Sequence, residues 1–159
     1  MKAKFLFPNS FKKIGWFLFV PSVIITVLIS VLHINSDEYL NVNVFAVYVD
    51  EILGKHHYFK LIKNSILDEI LTISMILGGI LICFSKLKVE DEMISKIRYE
   101  SLVWATYLNY GLIILFTIFI YGTPYLSVLF HNMFTLLLFF IIRFHYMIYK
   151  LNKANQDDE

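Results

Sequence analysis

The sequence is poor in the residues that make staples, loops and soluble surfaces. Cysteine occurs once, at Cys83, which excludes an intrachain disulfide and any metal site built from several cysteines. Six glycines and three prolines leave no low-complexity stretch, and only the last few positions read as a frayed tail. Charge is scarce and balanced: Asp, Glu, Lys and Arg make up 17% of the chain, and the net charge is +1. There is no field of one sign to attract nucleic acid or another polyanion. The chain has no internal repeat, no His-Glu-x-x-His motif, no phosphate-binding glycine loop, no Cys-x-x-Cys pair and no Ser/His/Asp set. It reads as a non-enzyme without a cofactor.

What is present is apolar bulk. Of 159 residues, 58% are hydrophobic and 17% aromatic, with a mean hydropathy of +0.65. Charges fall between long uncharged runs, which is the pattern of membrane spans. The expected fold is all-α: a single membrane domain over 1–159, a four-helix transmembrane bundle with spans at about 14–33, 67–84, 102–121 and 125–142. About 20 apolar residues cross a hydrocarbon core of ~30 Å. The first run is too long for a signal-peptide core, and Val31-Leu32-His33-Ile34 is no cleavage site.

The soluble excursion is residues 35–66. Val, Phe and Tyr over 41–49 predict a strand, with room for a short β-hairpin, and Gly54-Lys55 can turn the chain. Tyr58, Phe59, Ile62, Ile66 and Ile70 recur at helical spacing and predict a helix from about His57. Ser65 and Asp68 resemble a capping box for the second span. In the inner segment, 86–100, Val89, Met93 and Ile97 step by four, and a helix is expected from Val89 into the third span. Tyr121-Gly122-Thr123-Pro124 is a tight turn.

Lys and Arg in short loops mark the cytoplasmic side. With both termini inside, that side carries Lys2, Lys4, Lys12, Lys13, Lys86, Lys88, Lys96, Arg98, Arg143, Lys150 and Lys153. The outside carries Lys55, Lys60 and Lys63, a ratio of eleven to three. The outer loop also holds Asp37, Glu38, Asp50, Glu51, Asp68 and Glu69, although acids count little in this rule. Trp16, Trp104, Tyr121, Tyr125, Tyr146 and Tyr149 lie near span ends, as in aromatic belts.

Polar groups inside spans are costly and so require a reason. Asn109 falls ~4–5 Å from the midplane, at the depth of Pro21 and Ser22. Pro21 has no amide hydrogen and frees the carbonyl of Phe17. Asn109 is expected to bond that backbone or Ser22, while Gly78 and Gly79 permit close helix approach. His131 is expected to bond Thr117. No Asp, Glu, Lys or Arg lies between Leu102 and Ile142, which argues against proton-coupled transport. Arg143 and His145 suit the lipid phosphates, or Arg143 an acid of the inner segment. His33, His56 and His57 suit no standard metal spacing. Glu90, Asp91 and Glu92 point ~100° apart on a helix and cannot converge as catalytic carboxylates. With Ser95 and Arg98 they form a candidate docking surface.

Phe7-Pro8-Asn9-Ser10-Phe11-Lys12-Lys13-Ile14-Gly15-Trp16, the segment from Ser85 to Arg98 leading into Ser101-Leu102-Val103-Trp104-Ala105, Asn132-Met133-Phe134 and Arg143-Phe144 together resemble small multi-spanning membrane proteins of Bacteroidota. The resemblance runs along most of the chain. It implies a bacterial inner membrane and no chemistry. The expected function is that of an accessory, scaffold or regulatory protein in the lipid bilayer, acting through a protein partner or as a homo-oligomer. A small oligomeric transporter or channel is the alternative.

Overall fold

The computed structural model describes residues 5–36, 39–49 and 57–157. In order the elements are α1 (Ser10–Leu32), β1 (Asn41–Val49), β2 (His57–Ser65), α2 (Leu67–Phe84), α3 (Glu92–Phe119) and α4 (Thr123–Asp157). All four helices are long and apolar enough to cross a membrane. The chain divides into two compact units: Val20–Met75, and Met1–Phe19 with Ile76–Glu159. Lys2, Lys4, Asp37, Glu38, Asp50, Glu51, the turn expected at Gly54-Lys55, and His56 lie outside the described residues.

In the unit Val20–Met75, α1 contains Pro21 and stops at Leu32. His33 takes φ 49, and the amide of Ile34 donates to the carbonyl of Ile29 at 3.1 Å. This left-handed closure satisfies a carbonyl that the helix end would otherwise orphan. The expected strand appears as β1, paired antiparallel with β2 from Asn41 opposite Ser65 to Val49 opposite His57. The helix expected from His57 is therefore a strand. Tyr, Phe and Ile suit either structure, and a ladder partner at β1 decides the matter. Phe59, at φ 54, lies opposite Val47, where the ladder skips a pair. The rings of Tyr48 and Tyr58 are 5.4 Å apart, and those of Phe45 and Phe59 6.2 Å.

Only Ile66 separates β2 from α2. Ser65 caps the helix, accepting weakly from the amide of Leu67 at 3.4 Å. Its hydroxyl lies 2.7 Å from the carbonyl of Tyr39 and 2.9 Å from that of Ser36. The capping-box reading is half right, because Asp68 accepts from Ser36 Oγ at 3.0 Å and not from Ser65.

In the larger unit, α1 and α2 meet at glycines. A Cβ on Gly78 would stand 2.7 Å from the backbone nitrogen of Phe19 and 2.9 Å from the carbonyl oxygen of Gly15. Gly79 faces Leu137 of α4. Before α1, Phe7 bridges the segment after α2: its amide donates to Phe84 at 2.8 Å and its carbonyl accepts from Lys86 at 2.9 Å. Asn9 adds a bond to the Lys86 carbonyl at 2.7 Å.

Helix α3 begins at Glu92, three residues later than expected, because Asp91 caps it by accepting from Ile94 N at 2.7 Å. Gly122, at φ 75, makes the turn into α4, and Pro124 sits in the first turn, where no amide is needed. Helix α4 continues to Asp157, through the tail expected to fray.

The glycine crossing yields a prediction. Gly78→Ala should lower unfolding stability by about 1–3 kcal/mol, because its methyl meets backbone that cannot swing aside. Gly111→Ala, with nothing within 4 Å of the new methyl, should leave stability unchanged or raise it. Denaturation of the detergent-solubilised chain, followed by circular dichroism, reads both. Equal losses at the two positions would contradict the crossing.

Candidate functional site

Among the described residues, buried charge gathers at the amino end of α3. Ile94, Ile97, Arg98, Ser101, Ala105 and Asn109 form the buried face of this helix. Val89 and Met93, expected on the apolar face, are exposed. The inward stripe is thus offset from the predicted one, and it carries a guanidinium. The small residues Ser101 and Ala105, four apart, were the signal that this face approaches a neighbour.

Arg98 is 6% exposed. Its Nη1 donates to the carbonyl of Cys83 at 2.6 Å. Its Nη2 donates to Glu90 at 2.9 and 3.2 Å. Its flat face lies over the ring of Phe144, 4.6 Å from the centroid. The Cys83 carbonyl belongs to the last turn of α2, where helix carbonyls lack partners and a cation is favoured. Glu90 is fixed in turn by the amide of Leu87, which donates to it at 2.9 Å. Lys12, half-buried, is within electrostatic reach of both Arg98 and Glu90.

Around this pair lie packed rings and a few unpaired polar atoms. Phe144 stacks on Phe140 at 5.6 Å, and Phe140 on Phe84 at 6.0 Å. His145 meets the edge of Trp16 at 5.4 Å, and its Nδ1 bonds the carbonyl of Ile141 at 2.9 Å. Arg98 Nε, Ser101 Oγ and His145 Nε2 are buried without a protein partner. Among the described residues no three His, Cys, Asp or Glu converge on a metal position. Arg98 is held on three sides, so the arrangement suits locking chain segments together better than turning over a substrate.

The predicted site residues therefore divide. Glu90 and Arg98 are not a free docking surface: they pair with each other across the bend before α3, because a guanidinium turned inward must bring its counter-ion with it. Asp91 is used as a helix cap. Glu92 stays exposed, and Ser95 is half-buried. Arg143 lies over Trp104 at 5.1 Å, not against an acid of the inner segment.

Asn109 is 4% exposed, and its amide is taken up by Asn132 of α4 in a reciprocal pair at 3.2 and 3.3 Å, a partner not expected from the sequence. Pro21 and Ser22 belong to the smaller unit, where Ser22 is buried. Thr117 bonds the hydroxyl of Tyr125 at 2.8 Å and the carbonyl of Ile113. His131 does not reach it; its Nδ1 bonds the carbonyl of Ser127 at 2.7 Å. Helices joined by a turn match residues equally far from it. Tyr125 mirrors Thr117 about Tyr121, whereas His131 lies ten residues beyond.

No protein-family model, curated protein or solved structure matches this chain.

If the Arg98–Glu90 pair is the lock, breaking it from one side should be far worse than removing it whole. Arg98→Met or Glu90→Leu alone should cost about 3–5 kcal/mol, and the double variant should recover most of that loss. A double-mutant cycle on unfolding stability measures this. Additive losses would show that the two charges act independently.

Proposed function

We propose that this chain is a multi-pass protein of a bacterial cytoplasmic membrane with both termini inside, a non-enzymatic accessory or scaffold acting through a protein partner. Four helices of spanning length and the eleven-to-three distribution of Lys and Arg support the placement. In this orientation the Arg98 lock lies on the cytoplasmic side and the β-hairpin outside.

The observation that carries the partner reading is the hairpin. Phe45, Val47, Phe59 and Leu61 are 58–69% exposed on strands that no third strand joins among the described residues. A two-stranded hairpin is marginally stable alone. An exposed apolar surface with open strand edges is a site for another chain. Buried charge, meanwhile, is engaged in holding helices and is not arranged around a passage. The second reading, a small oligomeric transporter or channel, draws on the polar groove beside His131.

A photo-crosslinking residue at Phe45, introduced in the full chain in its native membrane, should give a discrete protein adduct. The same residue at Tyr107, exposed on α3, should give none at that mass. Saturable solute flux through the purified chain in liposomes would overturn the partner reading in favour of transport. Cysteines placed at Lys86 and Lys60 should be protected and labelled, respectively, by an impermeant thiol reagent applied from outside. The reverse pattern would invert the topology.

A further inference from the structure

Helix α4 carries a polar stripe along the groove it forms with α3, with Ser127 near the outer end of the span expected at 125–142 and His131 one turn deeper. Ser127, His131 and Thr135 follow one another at intervals of four, so they share one side of the helix. Ser127 and His131 are exposed, and Thr135 is half-buried. The three line a groove of about 420 Å³ between α3 and α4, whose other walls include Leu112, Phe116 and Val128.

The hydrogen bonds within the stripe leave a defined remainder. A carbonyl only accepts, so the bond between His131 Nδ1 and the Ser127 carbonyl places a proton on Nδ1. In the neutral ring Nε2 is then a bare acceptor. Thr135 donates its hydroxyl to the carbonyl of His131 at 3.2 Å. The hydroxyl of Ser127 has no partner among the described residues. One free donor and one free acceptor stand on the same face of the same helix. They cannot meet within one copy, because the ring is turned with its other nitrogen against Ser127.

We infer that this face is where a second copy of the chain packs, the two α4 helices running parallel about a two-fold axis. Ser127 of each copy donates to His131 Nε2 of the other. Two copies in one membrane share an orientation, so equal residues lie at equal depth. Side chains on a helix lean toward its amino end, and the Nδ1 bond draws the ring of His131 to the level of Ser127. The reciprocal contact therefore closes for parallel helices at matched depth. A lipid tail in the groove would leave the His131 acceptor unsatisfied, whereas a neighbouring helix that brings a hydroxyl to it satisfies it. Polar contacts of this kind between spanning helices are a known source of association. The inference rests on the membrane reading and not on any partner at the hairpin.

The full-length labelled chain in phosphatidylethanolamine–phosphatidylglycerol liposomes tests it. Co-flotation with the liposomes comes first; a chain that stays behind refutes the membrane reading, and the inference falls with it. For floating protein, energy transfer measured against protein-to-lipid ratio should show a dimer. His131→Leu and Ser127→Ala should each weaken it about eightfold, the loss of two hydrogen bonds of the average strength found between spanning helices. The double variant should be no weaker than either single one, since all three lose the same bonds.

On a Cys83→Ser background, Ser127→Cys should crosslink on oxidation, and Leu126→Cys, facing elsewhere on the helix, should not. A monomer at every ratio, or a dimer indifferent to both substitutions, would overturn the inference. So would losses that add in the double variant.

Discussion

The larger unit is organised around one guanidinium. Arg98 sits in the first turns of α3, and its contacts reach the end of α2 at Cys83, the bend at Glu90 and the side of α4 at Phe144. An ion taken from water without compensation costs several kcal/mol, so its surroundings must be built to answer it. The carbonyl at the end of α2 supplies partial negative charge, Glu90 supplies a full one, and Phe144 supplies the face of its ring. Once Glu90 is committed inward, the bend from Ser85 to Asp91 has little freedom. Leu87 donates to Glu90, and Asp91 is left at the position where it caps α3. Phe7, bridged to Phe84 and Lys86, binds the segment before α1 to the same bend.

The same residue fixes one end of a long helical hairpin whose other end is the Gly122 turn. Between them the register is held by polar contacts at intervals. Thr117 and Tyr125 lie four residues either side of Tyr121, Asn109 and Asn132 twelve and eleven, and Arg98 and Phe144 twenty-three each. Each of these bonds is weak on its own, since amide pairs between spanning helices are worth ~0.6 kcal/mol on average. Their value is positional. A slip of one turn would unpair both asparagines and strand the guanidinium away from its ring.

How far this was legible in the sequence depended on whether the deciding interaction was local. Apolar runs with charged borders located the helices, and α2 falls on the expected 67–84. Strand β1 falls on 41–49, where β-branched and aromatic residues leave little alternative. Residues 57–65 were misread because apolar spacing in a short run suits either a helix or a strand, and pairing with β1 settles it. Asn109 was recognised as an inward group, but its partner required the hairpin register to be counted from the turn. Arg98 was the largest miss. Charge at a helix start reads as solvated, and its counter-ion stands eight residues away in a bend whose path no periodicity describes.

The polar groups sort by whether the chain completes them itself. Asn109 and Asn132 satisfy each other, and Arg98 has an acid, a carbonyl and a ring. Ser127 and His131 are left with one free donor and one free acceptor on an outward helix face. The hairpin presents the complementary deficiency, apolar rings and open strand edges without cover. These two incomplete surfaces ask for different things. The acceptor left on His131 asks for a donor on a neighbouring helix, whereas the exposed rings of the hairpin ask for apolar area or a strand. If a second copy packs on α4 as inferred and the hairpin takes a partner as proposed, each assembly would hold two partner sites, and self-association would raise the number of partners bound together.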